Sequence, residues 1–362
     1  MSKLFVLGRR ILAATGSMAF KPTPNDVVLS ICRDSPLGSA NESYNVVTLL
    51  HLLQLLQGID GSPHVAASGA NLVYTWKVIG WYPRARWLAR SADNFAWRIA
   101  VSDGTGPAFH HARRHWSIRY DYSPDLQLDD GDFVVPYGVS PGLIHSGEWS
   151  RKDSLRGVER NIPLLFAGSC SGRAYERKDL ISARYEKMTR AEVVAALRSS
   201  DLFHEVPTAD ELPDIHRVGR PILIDSARAR IPTSEWLRTI AAADFLVCPP
   251  GMAMPMSHNI IEALGIGTIP LTNYPEWFFP ALEDGVNCLV FHDSEDLVER
   301  VEEILRMPAE RIETMRAACR AYYDRNLDPR AAIARIEACP LDKVRLHVLD
   351  ETYNHLPLGQ KA

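Results

Sequence analysis

Short apolar runs of four to six residues alternate along the chain with longer segments whose apolar positions recur every three or four residues, the pattern of strands separated by helices. In the first half, residues 27–32, 98–102 and 133–136 read as strands, and residues 44–57 read as an apolar-rich helix stopped by Gly58. A second series follows. Residues 164–167 and 222–225 read as strands, Thr189 and Glu192 form a capping box that opens a helix, and residues 234–243 read as another helix. Residues 245–248 and 288–291 read as strands, the latter ahead of helices over 294–305 and 309–326. Such alternation predicts an α/β fold with parallel sheets. Between the two series, residues 141–161 turn polar, as a linker between domains does. The expectation is two Rossmann-like domains facing a cleft, over residues 1–150 and 151–326, with 327–362 crossing back to the first domain.

The densest group of signals follows the strand at 245–248. That strand runs into Pro249, Pro250 and Gly251; an apolar-periodic segment then starts at the cap-competent Ser257 and stops at Gly265, and Gly267 precedes a further strand. In an open parallel sheet such a loop lies at the carboxyl edge, where ligands bind, and the amides of the helix start can hold a phosphate. Glu262 lies five residues into this segment, where a carboxylate can accept hydrogen bonds from the two hydroxyls of a ribose. The set fits a sugar-nucleotide pocket; an ordinary β-α-β unit with a surface Glu is the alternative.

Composition narrows the choice. A chain of 362 residues with 46% hydrophobic content has room for two cores, and a net charge of −4 argues against a nucleic-acid partner. Cys32, Cys170, Cys248, Cys288, Cys319 and Cys339 show no paired spacing and read as reduced core residues of a cytoplasmic protein. The N-terminal apolar run is too short for a signal peptide, no stretch approaches the ~18 apolar residues of a membrane span, and at most peripheral membrane contact is expected. Trp76, Trp81, Trp87, Trp97 and Trp116 are interleaved with Arg84, Arg86, Arg90, Arg113 and Arg114, which suits a saccharide acceptor surface, with core packing as the alternative. His111 and His115 have the spacing of one helical turn, but no third metal ligand is evident near them.

Four patches in order carry a family likeness. Trp87, Arg90, Ser91, Asp93 and Phe95 lead to Ser102, Asp103 and Gly104; Asp132 opens Asp-Phe-Val-Val-Pro; Leu164 opens Leu-Leu-Phe-Ala-Gly, with Arg173 and Arg177 beyond it. Cys248 and Gly251 precede Ser257, Glu262, Ala263, Gly267 and Pro270. Together these patches resemble the exostosin-type glycosyltransferases, an inverting family with the two-domain GT-B fold. The resemblance implies an enzyme of polysaccharide or glycan synthesis that moves a sugar from a nucleotide-diphosphate donor to a saccharide acceptor, with no cofactor and no metal. It places Gly251, Ser257, His258, Asn259 and Glu262 at the donor. Asn259 stands where the family commonly has arginine, so His258 or a cation of the loop after Gly168, namely Arg173, Arg177 or Lys178, has to meet the phosphate charge. A solvated charged face is the other reading of those three. Asp103, matching the family's His-Asp-x-Gly motif, is the first candidate for the base that takes the acceptor proton, and Asp34 the second. Either also suits a helix cap or an Asx turn. A sugar-nucleotide epimerase of GT-B-like fold and a catalytically inactive glycan-binding relative are the alternatives.

Overall fold

The computed structural model describes residues 22–31, 42–67, 81–82, 84–88, 95–104, 111–170, 175, 181–252 and 254–349. Two compact units divide the chain, one comprising Met1–Tyr122, Leu126–Pro136 and Pro329–Tyr353, the other Ser123–Asp125, Tyr137–Asp328 and Asn354–Ala362. Each is an α/β unit built on its own parallel sheet.

The first sheet holds β1 (Val27–Ile31), β2 (Pro63–Ala67), β3 (Arg86–Trp87), β4 (Trp97–Ser102), β5 (Ala112–Arg119), β6 (Asp132–Val134) and a strand from the far end of the chain, β13 (Lys343–His347). Their order is β3-β2-β1-β4-β5-β13-β6, with every pairing parallel. Without β13 this is the 3-2-1-4-5-6 order of a doubly wound Rossmann sheet. Val27, Val28 and Leu29 of β1 and Ile99, Ala100 and Val101 of β4 are buried, as central strands covered on both faces must be. Helix α1 (Glu42–Leu56) ends where Arg84 donates to the carbonyls of Gln57 and Ile59, both at 2.6 Å. A second arginine does the same for the helix that precedes β13, where Arg114 donates to the carbonyls of Glu337, Cys339 and Leu341. Unsatisfied carbonyls at a helix C-terminus attract cations, so these two arginines are structural ties. Trp97 and Trp116 are core residues at 1% and 0% exposure, so they are not available to an acceptor. His115 lies within β5, which removes the helical-turn spacing read for His111 and His115.

The second sheet holds β7 (Ile162–Gly168), β8 (His204–Glu205), β9 (Ile222–Asp225), β10 (Ala243–Cys248), β11 (Ile269–Thr272) and β12 (Leu289–Val290) in the order β12-β11-β10-β7-β9-β8, again all parallel. Residues 141–161, expected as a linker, instead begin with α2 (Pro141–His145), a 3₁₀ turn over Glu148–Arg151 and α3 (Lys152–Leu155), which bury Leu143 and Leu155. Arg156 then donates to the carbonyl of Gly265 at 2.9 Å, and the polar composition reflects the outward faces of these short helices. After α4 (Ser182–Tyr185) comes α5 (Arg190–Ser199), opened by a complete capping box between Thr189 and Glu192. Helices α6 (Thr233–Ala241) and α7 (His258–Ile266) flank β10, and Gly267 ends α7 at φ 80°, a left-handed position that favours glycine. Helices α8 (Ser294–Arg306) and α9 (Ala309–Tyr322) follow, and α10 (Pro329–Ala338) packs against α1 in the first unit. Among the described residues, no helix is long and apolar enough to cross a membrane.

Candidate functional site

In the second sheet the chain goes from β7 out to β8 at the edge and in again to β9, then crosses to β10, β11 and β12 on the other side of β7, so strands are added in opposite directions on either side of the β7–β10 boundary. Open parallel sheets bind ligands outside the carboxyl ends of their strands at such a reversal. Gly168 ends β7 there and Cys248 ends β10, leading into the loop with Gly251. That loop doubles back on itself, with the Gly251 amide donating to the Pro255 carbonyl at 3.2 Å. A Cβ at position 251 would stand 2.8 Å from the Met254 oxygen and 2.9 Å from the Met256 oxygen, so only glycine fits. Ser257 occupies the N-cap of α7 in extended backbone, yet its hydroxyl pairs with the Tyr274 hydroxyl at 3.1 Å and makes no capping bond. Ser257 therefore gives the first turn of α7 no side-chain cap, in contrast to α5 and α8, which Thr189 and Asp293 cap.

Glu262 is held one turn further along α7. It is 2% exposed; its Oε1 accepts the Ser140 amide at 2.8 Å and its Oε2 accepts the Trp236 indole N–H at 2.6 Å. Burial pushes its pKa up against these two donors, which favour the carboxylate. In this structure the carboxylate braces α6 and the segment entering α2 against α7, and a ribose would have to exchange for those bonds. Trp236 also walls a cavity of about 340 Å³, with Gly168, Ile224, Ser226, Arg230 and Ile231 among its lining, at the carboxyl ends of β7 and β9. His258 donates from Nδ1 to the Gly138 carbonyl at 2.7 Å and rests against Tyr137. Burial lowers its pKa, partly offset by that carbonyl, and a neutral imidazole lends a phosphate no positive charge. Asn259 is half-buried in the first turn of α7.

A cation not nominated from the sequence lies at the same edge. Arg190, the first residue of α5, is 8% exposed, and its guanidinium stacks 4.5 Å from the centroid of the Tyr175 ring. Its Nη1 would be 3.8 Å from a Cβ placed on Gly168. Burial lowers its pKa, and the groups that act on it are Tyr175, Tyr274, Cys248 and Cys170.

In the first unit, Asp103 follows β4 at the carboxyl edge of the sheet, half-buried, and accepts the Tyr120 hydroxyl at 3.0 Å. At the ends of β5 and β13, His347 Nδ1 lies 2.7 Å from Asp121 Oδ1 and its Nε2 3.2 Å from Asp132 Oδ1, while Arg345 pairs with Asp132. Burial would raise the Asp132 pKa, but Arg345, the Asp129 amide and His347 outweigh it and pull it down to about 2. Burial lowers the His347 pKa, yet the two carboxylates win and raise it.

Residues 212–338 match a family described as glycosyl transferase-like. That stretch runs from ahead of β9 to the end of α10 and contains the loop at Gly251 and all of α7. No curated protein matches the chain in sequence. Solved structures similar to it include HepE of Anabaena in complex with UDP, at 11% identity over 86% of this chain and 98% of that one, with a TM-score of 0.41. A glycosyltransferase from Rickettsia africae ESF-5 shows 10% identity over 86% and 96%, with a TM-score of 0.42. AviGT4, a glycosyltransferase involved in avilamycin A biosynthesis, shows 14% identity over 87% and 98%, also at 0.42.

Of the residues expected at a donor site, Gly251, Ser257, His258, Asn259 and Glu262 come together on the loop after β10 and on α7. Arg173, Arg177, Lys178 and the second base candidate Asp34 lie outside the described residues. Arg190, Trp236 and the pair of Asp121 and His347 were not nominated. Only Thr189 and Glu192, which fix the start of α5, gave a local signal near Arg190.

Proposed function

We propose that this protein is a cytoplasmic, metal-independent glycosyltransferase of GT-B architecture and exostosin type, which moves a sugar with inversion from a nucleotide-diphosphate donor to a saccharide acceptor in polysaccharide or glycan synthesis. The observation that carries the reading is the match of residues 212–338, because it spans the loop at Gly251 and the uncapped start of α7 at the reversal point of a parallel sheet. Cleavage of the anomeric bond leaves negative charge on the departing diphosphate, and preorganised amides aimed at that charge stabilise it without a metal. The amides of α7 are the proposed donors, with Arg173, Arg177 and Lys178 as further cations. Asp103, oriented by the Tyr120 hydroxyl, is the proposed base for the acceptor hydroxyl, ahead of Asp34.

Thermal unfolding of the full chain with UDP, GDP, CMP and TDP tests the donor class. A nucleotide at 100 times its Kd stabilises by about 2.7 kcal/mol, a rise of roughly 5–10 °C for a unit of this size. A transition unmoved by all four would remove the nucleotide-sugar reading.

A further inference from the structure

We infer that Arg190 is a phosphate-binding cation of the donor site, supplying from α5 the charge that Asn259 of α7 does not; the inference rests on the nucleotide-diphosphate reading above. The case starts from an isolated buried charge. A guanidinium stays protonated in a protein, and burying it without an anion is unfavourable unless a ligand completes the pairing. Arg190 is 8% exposed and has no carboxylate partner among the described residues. Its Nε is buried with no acceptor at all. The groups around it do not supply the missing charge, since burial pushes the Tyr274 hydroxyl and the Cys248 and Cys170 thiols upward and keeps them neutral. Neighbouring carboxylates are committed elsewhere: Glu192 closes the capping box on Thr189, and Asp225 accepts the amides of Cys170 and Ala227. The start of α5, where the helix dipole is positive, further disfavours a cation at this position.

The direction of the side chain gives the site. Arg190 reaches back from α5 to Gly168 at the end of β7, and its field reaches Cys248 at the end of β10 and Tyr274, the same Tyr274 whose hydroxyl holds the cap residue Ser257 away from the α7 amides. A charge-bearing fork and a helix start whose N-cap hydroxyl is turned to Tyr274 thus share one edge of the sheet. A phosphate there would receive donors from both, and Tyr175 keeps the guanidinium plane fixed by stacking.

The test compares the wild-type chain with Arg190→Met and Arg190→Lys by calorimetry, using UDP and GDP, the nucleosides uridine and guanosine, and inorganic pyrophosphate as probes, together with thermal unfolding in the absence of ligand. The expected result is that wild type prefers a diphosphate over its nucleoside, that Arg190→Met weakens diphosphate binding about 10- to 150-fold with the nucleoside unaffected, and that Arg190→Lys falls between. Unliganded Arg190→Met should melt at or above the wild-type temperature, because it removes an unpaired charge. Wild-type diphosphate affinity in Arg190→Met, or a lower melting temperature with unchanged affinity, would overturn the inference and make Arg190 a strut for Tyr175. Pyrophosphate binding that depends on Arg190, with neither nucleotide bound, would uphold the anion site while ending the nucleotide-sugar reading. Binding of no probe by wild type would overturn it.

Discussion

Glu262→Gln should destabilise the second unit, because the carboxylate serves two buried donors and an amide can serve only one. The Ser140 amide lies 2.8 Å from Oε1 and the Trp236 indole N–H 2.6 Å from Oε2, at 2% exposure. In the variant, the new NH₂ group must face one of these N–H donors. One hydrogen bond to a charged acceptor is lost, about 1.5–3 kcal/mol, and a buried donor is stranded, about 1–3 kcal/mol. Relief of the buried charge, whose penalty shows in the raised Glu262 pKa, offsets part of this. A net loss of about 2 kcal/mol lowers the transition by roughly 4–8 °C. Thermal unfolding of Glu262→Gln, Trp236→Phe and the double variant at pH 7 checks the mechanism. In the double variant the amide faces a phenyl ring rather than a donor, so it should be more stable than the sum of the singles by about 1 kcal/mol or more. Strict additivity refutes the reasoning. So does wild-type melting of Glu262→Gln, and if nucleotide affinity fell at the same time, the carboxylate would be shown to face a ligand.

Asp103→Asn should lower turnover by ~100-fold or more with little change in donor affinity, assayed in excess EDTA, where wild-type activity should persist; a folded, fully active variant removes Asp103 from the chemistry. The first unit should lose stability at both ends of the pH scale. Asp132 is held down at about 2 when folded against 3.8, so its contribution is complete above pH ~4 and fades as pH falls toward 2. His347 is raised above 6.5, so its contribution is complete below that value and fades as pH rises through the folded pKa. Urea unfolding across pH should show both limbs, and His347→Gln should abolish the alkaline one; an alkaline limb that survives the substitution assigns it to another group.

The elements that announced themselves in the sequence are those whose signal is local. The capping box at Thr189, the strand Ile222–Asp225 with its run of three apolar residues and the apolar periodicity of α7 each require only neighbouring residues to be seen, although α7 runs through the expected stop at Gly265 and ends at Gly267, and Ser257 makes no capping bond. Strands β5 and β13 went unread because their sequences, Ala-Arg-Arg-His-Trp-Ser-Ile-Arg and Lys-Val-Arg-Leu-His, are dominated by polar residues, and each is held as a strand by neighbours on both sides, β4 and β13 for β5, β5 and β6 for β13. The position of Glu262 was visible but its bonds were not, since Ser140 and Trp236 lie 122 and 26 residues away in the chain. Arg190 reads locally as an ordinary first-turn residue on a helix; its burial is decided by Tyr175 and Gly168, which no local pattern connects to it. The pairing of His347 with Asp121 spans 226 positions, beyond the reach of any spacing rule.

Placing β13 between β5 and β6 reverses the order in which the two units can be finished during synthesis. The second unit is nearly one continuous stretch and can close as soon as that stretch has left the ribosome. The first begins earlier, yet β6 has no strand to pair with until Arg345, Leu346 and His347 arrive beside Asp132, Phe133 and Val134. Until then β5 stands as an open edge, with its row of amides and carbonyls available to any extended chain nearby. A stop codon between positions 329 and 343 would therefore remove β13 and leave an unfinished older unit attached to a younger one. Quality control would meet this protein as a nascent chain whose β5 edge stays exposed until residues 343–347 arrive, and chaperone dependence should concentrate in that interval of translation.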